Sequence, residues 1–193
     1  MKIAIVKYNA GNVQSVKYAL QRLGIEPALT SDPEELKSAD KVIFPGVGEA
    51  ASAMKSLKMN RLDELIPTLK QPVLGVCLGL QLMCRHSEER NTPCLGIFDL
   101  EVKRFEPKLK VPHMGWNKLR DLKGPLVKEM PHDSYLYFVH SYYAPTCEYT
   151  VATVDYINAF SAALNKDNFY AVQAHPEKSG KTGEQILKNF LEL

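Results

Sequence analysis

The amino-acid sequence predicts an α/β fold: a mostly parallel central sheet flanked by helices, with an additional antiparallel or mixed strand region in the C-terminal half. Two observations carry this. Up to Val76, short β-branched segments alternate with amphipathic helical patterns, the signature of a parallel sheet covered on both faces. From about Leu100 the texture becomes alternating, aromatic and turn-separated, with no long amphipathic helix until the last stretch. A chain of 193 residues, 45% of them hydrophobic, is expected to form one domain over residues 1–193.

Lys2 to Val6 reads as a strand, followed by the polar NAGN and then by Val13, Val16, Leu20 and Leu23 at helical spacing, ending at Gly24. A second strand falls near Ala28 to Thr30. After it comes SDPEEL, in which Asp32 can cap a helix, Pro33 takes the first helical position and Glu35 completes a capping box. Lys41 to Phe44 reads as a third strand running into the turn PGVG, and Val73 to Val76 as a fourth running into CLGLQLM. In the second half LEVKRF, SYLYFVHSYY, YTVATVDY, AFSAALN and FYAVQA read as strands, and Gly183, Ile186, Leu187, Phe190 and Leu191 mark a closing helix.

The 24 Lys+Arg and 22 Asp+Glu leave a net charge of +2 with no block of like charge, so neither nucleic acid nor a membrane surface is an expected partner. The apolar runs fall short of the ~18 to 20 residues of a membrane span, and MKIAIVKYNAGN lacks a signal-peptide pattern; a cytoplasmic protein is expected. The four cysteines, Cys77, Cys84, Cys94 and Cys147, show no C-x-x-C pair, so reduced thiols are expected. His86, His113 and His132 lack paired metal-ligand spacing, and no metal or cofactor is expected.

Gly75-Val76-Cys77-Leu78-Gly79 has the form G-x-C-x-G at a strand-to-helix junction, the thiol version of the nucleophile elbow. Such a turn places the thiol at a helix N-terminus, where unpaired N–H groups favour thiolate and the Leu78 N–H faces a developing oxyanion. Gln173-Ala174-His175-Pro176-Glu177 ends another strand, and the proline stiffens the turn that carries His175 and Glu177. A cysteine, a histidine that moves its proton and a carboxylate that orients the histidine suit acyl transfer through a thioester.

YNAGN, PGVG, GVCLGLQ and QAHPEKS, in this order along the chain, together resemble the class I, triad-type glutamine amidotransferases over nearly the whole chain. YNAGN with Asn9 and Asn12, PGVG at Pro45 to Gly48, PHMGWN at Pro112 to Asn117 and FVHSYY around His140 resemble most the glutaminase subunits of the histidine pathway. The resemblance implies that Cys77 attacks the side-chain amide of L-glutamine, His175 moves the proton and Glu177 holds His175. It implies an oxyanion hole from Leu78 and from the turn at Val47 and Gly48, and contacts to glutamine from Gln81, His140, Ser141 and Tyr142. It further implies a heterodimer, in which a separate (β/α)₈ barrel cyclase subunit receives sheltered ammonia across a face bearing Asn12, Met114, Trp116 and Lys178. That barrel takes ~250 residues, more than this chain offers.

Two departures from the resemblance stand out: Ala174 where an aromatic residue is common, and Glu49-Ala50-Ala51 where a bulky residue is common after PGVG. The alternatives are glutaminases of other pathways, which usually carry a GGEST-like segment (pyridoxal phosphate) or an SPGPG turn (anthranilate), and a redox or chaperone-type relative of the fold. The last generally lacks a His-x-Glu on a later strand.

Overall fold

The computed structural model describes residues 1–9 and 12–193; Ala10 and Gly11 of the YNAGN motif lie outside the described residues. The first half builds β1 (Ile3–Val6), α1 (Val13–Arg22), β2 (Ala28–Thr30), α2 (Pro33–Lys37), β3 (Lys41–Gly46), α3 (Ala50–Met59), α4 (Leu62–Leu65), β4 (Val73–Cys77) and α5 (Leu78–Met83). The second half adds β5 (Cys84–Ser87), β6 (Thr92–Pro93), β7 (Phe98–Arg104), β8 (His113–Lys118), β9 (Tyr135–His140) and β10 (Tyr142–Tyr143). It closes with β11 (Thr150–Asp155), β12 (Ala159–Lys166), β13 (Phe169–Val172) and α6 (Gly180–Glu192).

A seven-stranded sheet in the order β11-β12-β13-β4-β3-β1-β2 forms the centre. The five strands from β13 to β2 are parallel, and β12 and β11 are added antiparallel. The strands beside the centre are apolar on both faces because each face is covered. Ala4, Val6, Val42 and Phe44 pack with Met54, Leu57 and Leu80 on one side; Ile3, Ile5, Ile43 and Leu74 pack with Leu20, Ile186 and Phe190 on the other. A four-stranded sheet, β10-β7-β5-β6, and an antiparallel ribbon, β8-β9, complete the C-terminal half.

Asp32 caps α2, its Oδ1 accepting from the N–H groups of Glu34 (2.8 Å) and Glu35 (3.0 Å). The reciprocal half of the expected capping box is absent, because the Asp32 N–H is already taken by the Thr30 hydroxyl at 2.9 Å. The ribbon shows strict alternation. Leu136, Phe138, His113 and His140 are buried, whereas Met114, Trp116 and Tyr135 stand in solvent. No helix of the described residues is long and apolar enough to cross a membrane.

Candidate active site

Parallel strands deliver their carboxyl ends to one edge of a sheet, where ligands of open α/β folds bind. Here β3 and β4 are in register with Gly46 opposite Cys77, and β4 and β13 with Val76 opposite Val172. The residues that follow each strand, Val47 and Gly48, Leu78, and Gln173 to Glu177, therefore converge. They line a cleft of about 360 Å³ together with Gln81, Glu89, Pro112, Val139, His140, Ser141, Tyr142 and Lys178.

Cys77 is the last residue of β4 and caps α5 with φ +53° and ψ −106°, a conformation that costs a non-glycine residue about 1–3 kcal/mol. The surrounding contacts hold it there. A Cβ on Gly79 would lie 2.0 Å from the Phe44 carbonyl oxygen, so α5 crosses β3 closely enough that only glycine fits. The elbow points the thiol at the cleft, and Cys77 is 6% exposed. The first N–H groups of α5 have no partner inside the helix, which leaves the Leu78 N–H available to an oxyanion.

His175 lines the same cleft as Cys77, and its Nδ1 meets Glu177 Oε1 at 2.8 Å, both side chains being almost fully buried. Burial pulls the His175 imidazole down, yet hydrogen bonds to Cys77 and Glu177 and attraction to their charges prevail and raise it to about 10. The loop is pinned from two sides. The His175 N–H donates to the Tyr137 carbonyl (2.9 Å), the Ser179 hydroxyl donates to the His175 carbonyl (2.7 Å) and accepts from the Tyr137 N–H (2.9 Å). A thiol, a cationic imidazole and a buried carboxylate gathered at one cleft can form and resolve a thioester.

A family model described as "Glutamine amidotransferase class-I" matches residues 4–193. The chain belongs to the class I glutamine amidotransferases. This amidotransferase is 63% identical to "Imidazole glycerol phosphate synthase subunit HisH" of Bacteroides fragilis, with 100% of both chains covered. The proteins of the same name from Bacteroides thetaiotaomicron and Pectobacterium atrosepticum are 61% and 48% identical, again over 100% of both chains. Among solved structures, one described as "Crystal structure of glutamine amidotransferase" has a TM-score of 0.79 at 19% identity, covering 100% of this chain and 98% of the other. "Structure of PurLQS from Thermotoga maritima" has a TM-score of 0.74 at 15% identity, covering 99% and 97%. At these identities the likeness is one of fold.

Several residues of the amidotransferase sit differently from the sequence-based expectation. The amide of Asn12 donates to Glu177 Oε1 at 2.6 Å, so this side chain is engaged with the His–Glu pair rather than held out for a partner. The reason is local: Asn12 has φ +71°, a left-handed turn just before α1. His140 borders the cleft, but Nδ1 is bonded to the Tyr142 carbonyl (2.7 Å) and Nε2 to His113 (3.0 Å), which leaves no ring nitrogen for a substrate. Met114 and Trp116 are both 57% exposed, and Lys178 is exposed at the cleft rim.

Sequence reasoning missed three groups at this site. Glu89 reaches the cleft and ties the start of α3, accepting from the Ala50 N–H at 2.7 Å; burial raises its carboxyl above the usual range. Gln173 is fully buried, with Nε2 3.8 Å from the Cys77 sulfur. Ser179 pins the His175 loop as described above. The QAHPEKS motif contains Gln173 and Ser179, but their contacts depend on β9 and α5, which are remote in sequence. Cys84 is buried with its thiol pushed up, chiefly by burial, and takes no part in the cleft.

Proposed function

We propose that the chain is the glutaminase subunit of an imidazole glycerol phosphate synthase, with the whole glutaminase carried by one domain over residues 1–193. The observation that supports it most is the cleft that brings Cys77, at the end of β4, together with His175 and its partner Glu177, on the loop after β13. The assignment to this synthase, rather than to a pyridoxal phosphate or anthranilate system, follows the name of the full-length relatives.

In the proposed reaction the Cys77 thiolate attacks the side-chain carbonyl carbon of L-glutamine. The oxyanion takes N–H groups from Leu78 and from the Val47–Gly48 turn, which contributes a second donor when its peptide N–H faces the cleft. Protonated His175 gives its proton to the departing nitrogen, the C–N bond breaks, and ammonia leaves a glutamyl thioester. His175 then takes a proton from water, the hydroxide attacks the thioester, and glutamate departs as the thiolate is restored.

The other end of glutamine carries an ammonium and a carboxylate. Both N–H bonds of Gln81 are spent, on the Tyr142 carbonyl (3.0 Å) and on Gln173 (3.1 Å), so what it offers a ligand is its acceptor oxygen. Gln81 and Glu89 thus suit the ammonium, and Ser141 and Tyr142 border the same end. Ammonia is mostly protonated in neutral water and then is not a nucleophile. A sheltered handover to a (β/α)₈ barrel cyclase subunit docked on the ribbon face of Met114 and Trp116, with Lys178 at the rim, avoids that loss.

Glutamate release by the chain, alone and with the barrel subunit loaded with its ligand, tests the reading. Cys77→Ala is expected to lower glutamine hydrolysis by at least about a thousand-fold, while ammonia supplied directly still supports cyclisation by the partner. Glutamine turnover by that variant would remove Cys77 as the nucleophile.

A further inference from the structure

Behind the cleft, β8 brings a second histidine, His113, against His140. The two rings meet Nδ1 to Nε2 at 3.0 Å, and His113 is stacked between Phe138 (centroids 5.2 Å apart) and Tyr156 (4.0 Å). Both histidines are buried, and neither has a carboxylate partner in the hydrogen bonds of the described residues.

The protons in this cluster have one consistent arrangement. His140 Nδ1 faces a carbonyl, that of Tyr142, so it carries the hydrogen and Nε2 is the acceptor. His113 must then donate from Nδ1, which leaves its Nε2 to accept from the Asn117 amide at 3.4 Å. The Asn117 orientation is fixed independently, since its nitrogen also donates to the Asp155 carbonyl (2.9 Å) and its oxygen accepts from the Lys118 N–H (2.8 Å). At the other end, the Tyr142 carbonyl takes a second donor, Gln81 Nε2. Because Gln81 also donates to the Gln173 oxygen (3.1 Å), the Gln173 amide is oriented with its nitrogen toward Cys77 Sγ at 3.8 Å.

We propose that His113 and Gln173 are positioning residues for Cys77, the ends of a polar network that runs through His140, the Tyr142 carbonyl and Gln81. The network sets one orientation of the Gln173 amide and so presents an N–H to the sulfur. An N–H donor favours the thiolate over the thiol, because only the anion is a strong acceptor. The neutral state of both rings belongs to the same arrangement: a proton added to either histidine would set two N–H groups face to face. Burial first of all pushes His113 down to about 4; burial, against the Tyr142 carbonyl and with the charges of His113 and His175, takes His140 to about 3.

This inference rests on the glutaminase reading, and two readouts keep the tests separate: glutamine hydrolysis with the barrel subunit present, and alkylation of Cys77 by iodoacetamide, followed by peptide mass. His113→Phe keeps the stacking and removes the donor. It is expected to lower kcat about ten-fold, the scale of one charge-assisted hydrogen bond, with KM for glutamine unchanged, and to slow Cys77 alkylation in parallel. His113→Asn, which keeps an N–H near the place of Nδ1, is expected to restore both.

A folded His113→Phe protein with full kcat and full alkylation rate overturns the proposal, and so does equal impairment of the Phe and Asn variants, which would mark a packing effect. If His113→Phe does not fold, Gln173→Met decides: slower alkylation of Cys77 supports the network, and an unchanged rate overturns it. Absence of glutamine hydrolysis in the parent protein would count against the functional reading alone, since the alkylation arms still report on the network.

Discussion

Glu177 shows how much a single oxygen carries. Its Oε1 accepts from both His175 and Asn12, while Oε2 is buried without a partner among the described residues. Removing Asn12 leaves the carboxylate held by His175 alone, free to rotate away from the ring. Asn12→Ala is expected to lower glutamine kcat about ten-fold with little change in KM, read by steady-state glutamate release. Asn12 was legible in the sequence as part of YNAGN, but its role was not, because the left-handed φ that turns the amide toward Glu177 comes from the chain's path into α1. A second residue-scale prediction concerns acid. His113 and His140 lie well below the ordinary histidine value of about 6.5. As pH falls through ~6.5 the unfolded chain takes up protons that the folded chain refuses, so the stability these rings contribute is complete above that value and is lost toward pH 4. Urea unfolding between pH 7 and pH 5 is expected to show falling stability, with a slope shallower by up to about 1.4 kcal/mol per pH unit in His113→Phe. His175, which is raised, works in the opposite sense and in a different window, above about 6.5.

Among the elements, α5 is the most constrained. All six of its residues are buried, and it is pressed onto β3 at Gly79 and onto β4 at Gly75. Gly79→Ala would drive a methyl into the Phe44 carbonyl, and a loss of about 3 kcal/mol or more is expected, seen as a melting temperature lower by roughly 10 °C. The elbow was legible because its message is local: strand, glycine, nucleophile, glycine and helix lie within a few consecutive residues. The β8-β9 ribbon was legible as strands but not as a site. His113 acquires meaning only through the register that sets it opposite His140 and Met114 opposite Val139, and register is fixed by pairing across intervening chain that carries no pattern of its own. The capping box at α2 failed for a similar reason, since the competing acceptor, the Thr30 hydroxyl, belongs to the preceding strand.

For the molecule as a whole, the parallel core could be read from the alternation of strands and helices, whereas the insertion of β13 between β4 and β12 could not. No local signal states that a strand near the end of the chain pairs with one near its middle. The face beside the cleft leaves Met114 and Trp116 in solvent at 57% exposure each, and Trp116 meets Tyr137 edge-on. Since Trp116 supports little of the fold, Trp116→Ala is expected to move the melting temperature of the isolated chain by no more than about 2 °C. Its loss is expected to weaken binding to the barrel subunit about 30-fold or more, the scale of an interface hot spot, measured by titration calorimetry.

The place of β13 also bears on synthesis. On the ribosome, β4 emerges with one side unpaired, and its only neighbour on that side follows after residues 78–168 have been made. During that interval an apolar central strand presents an open edge, the kind of surface that invites wrong pairing. His175 and Glu177 arrive on the loop directly after the missing strand. The same late step therefore closes the vulnerable edge and brings His175 and Glu177 to the cleft that Cys77 lines.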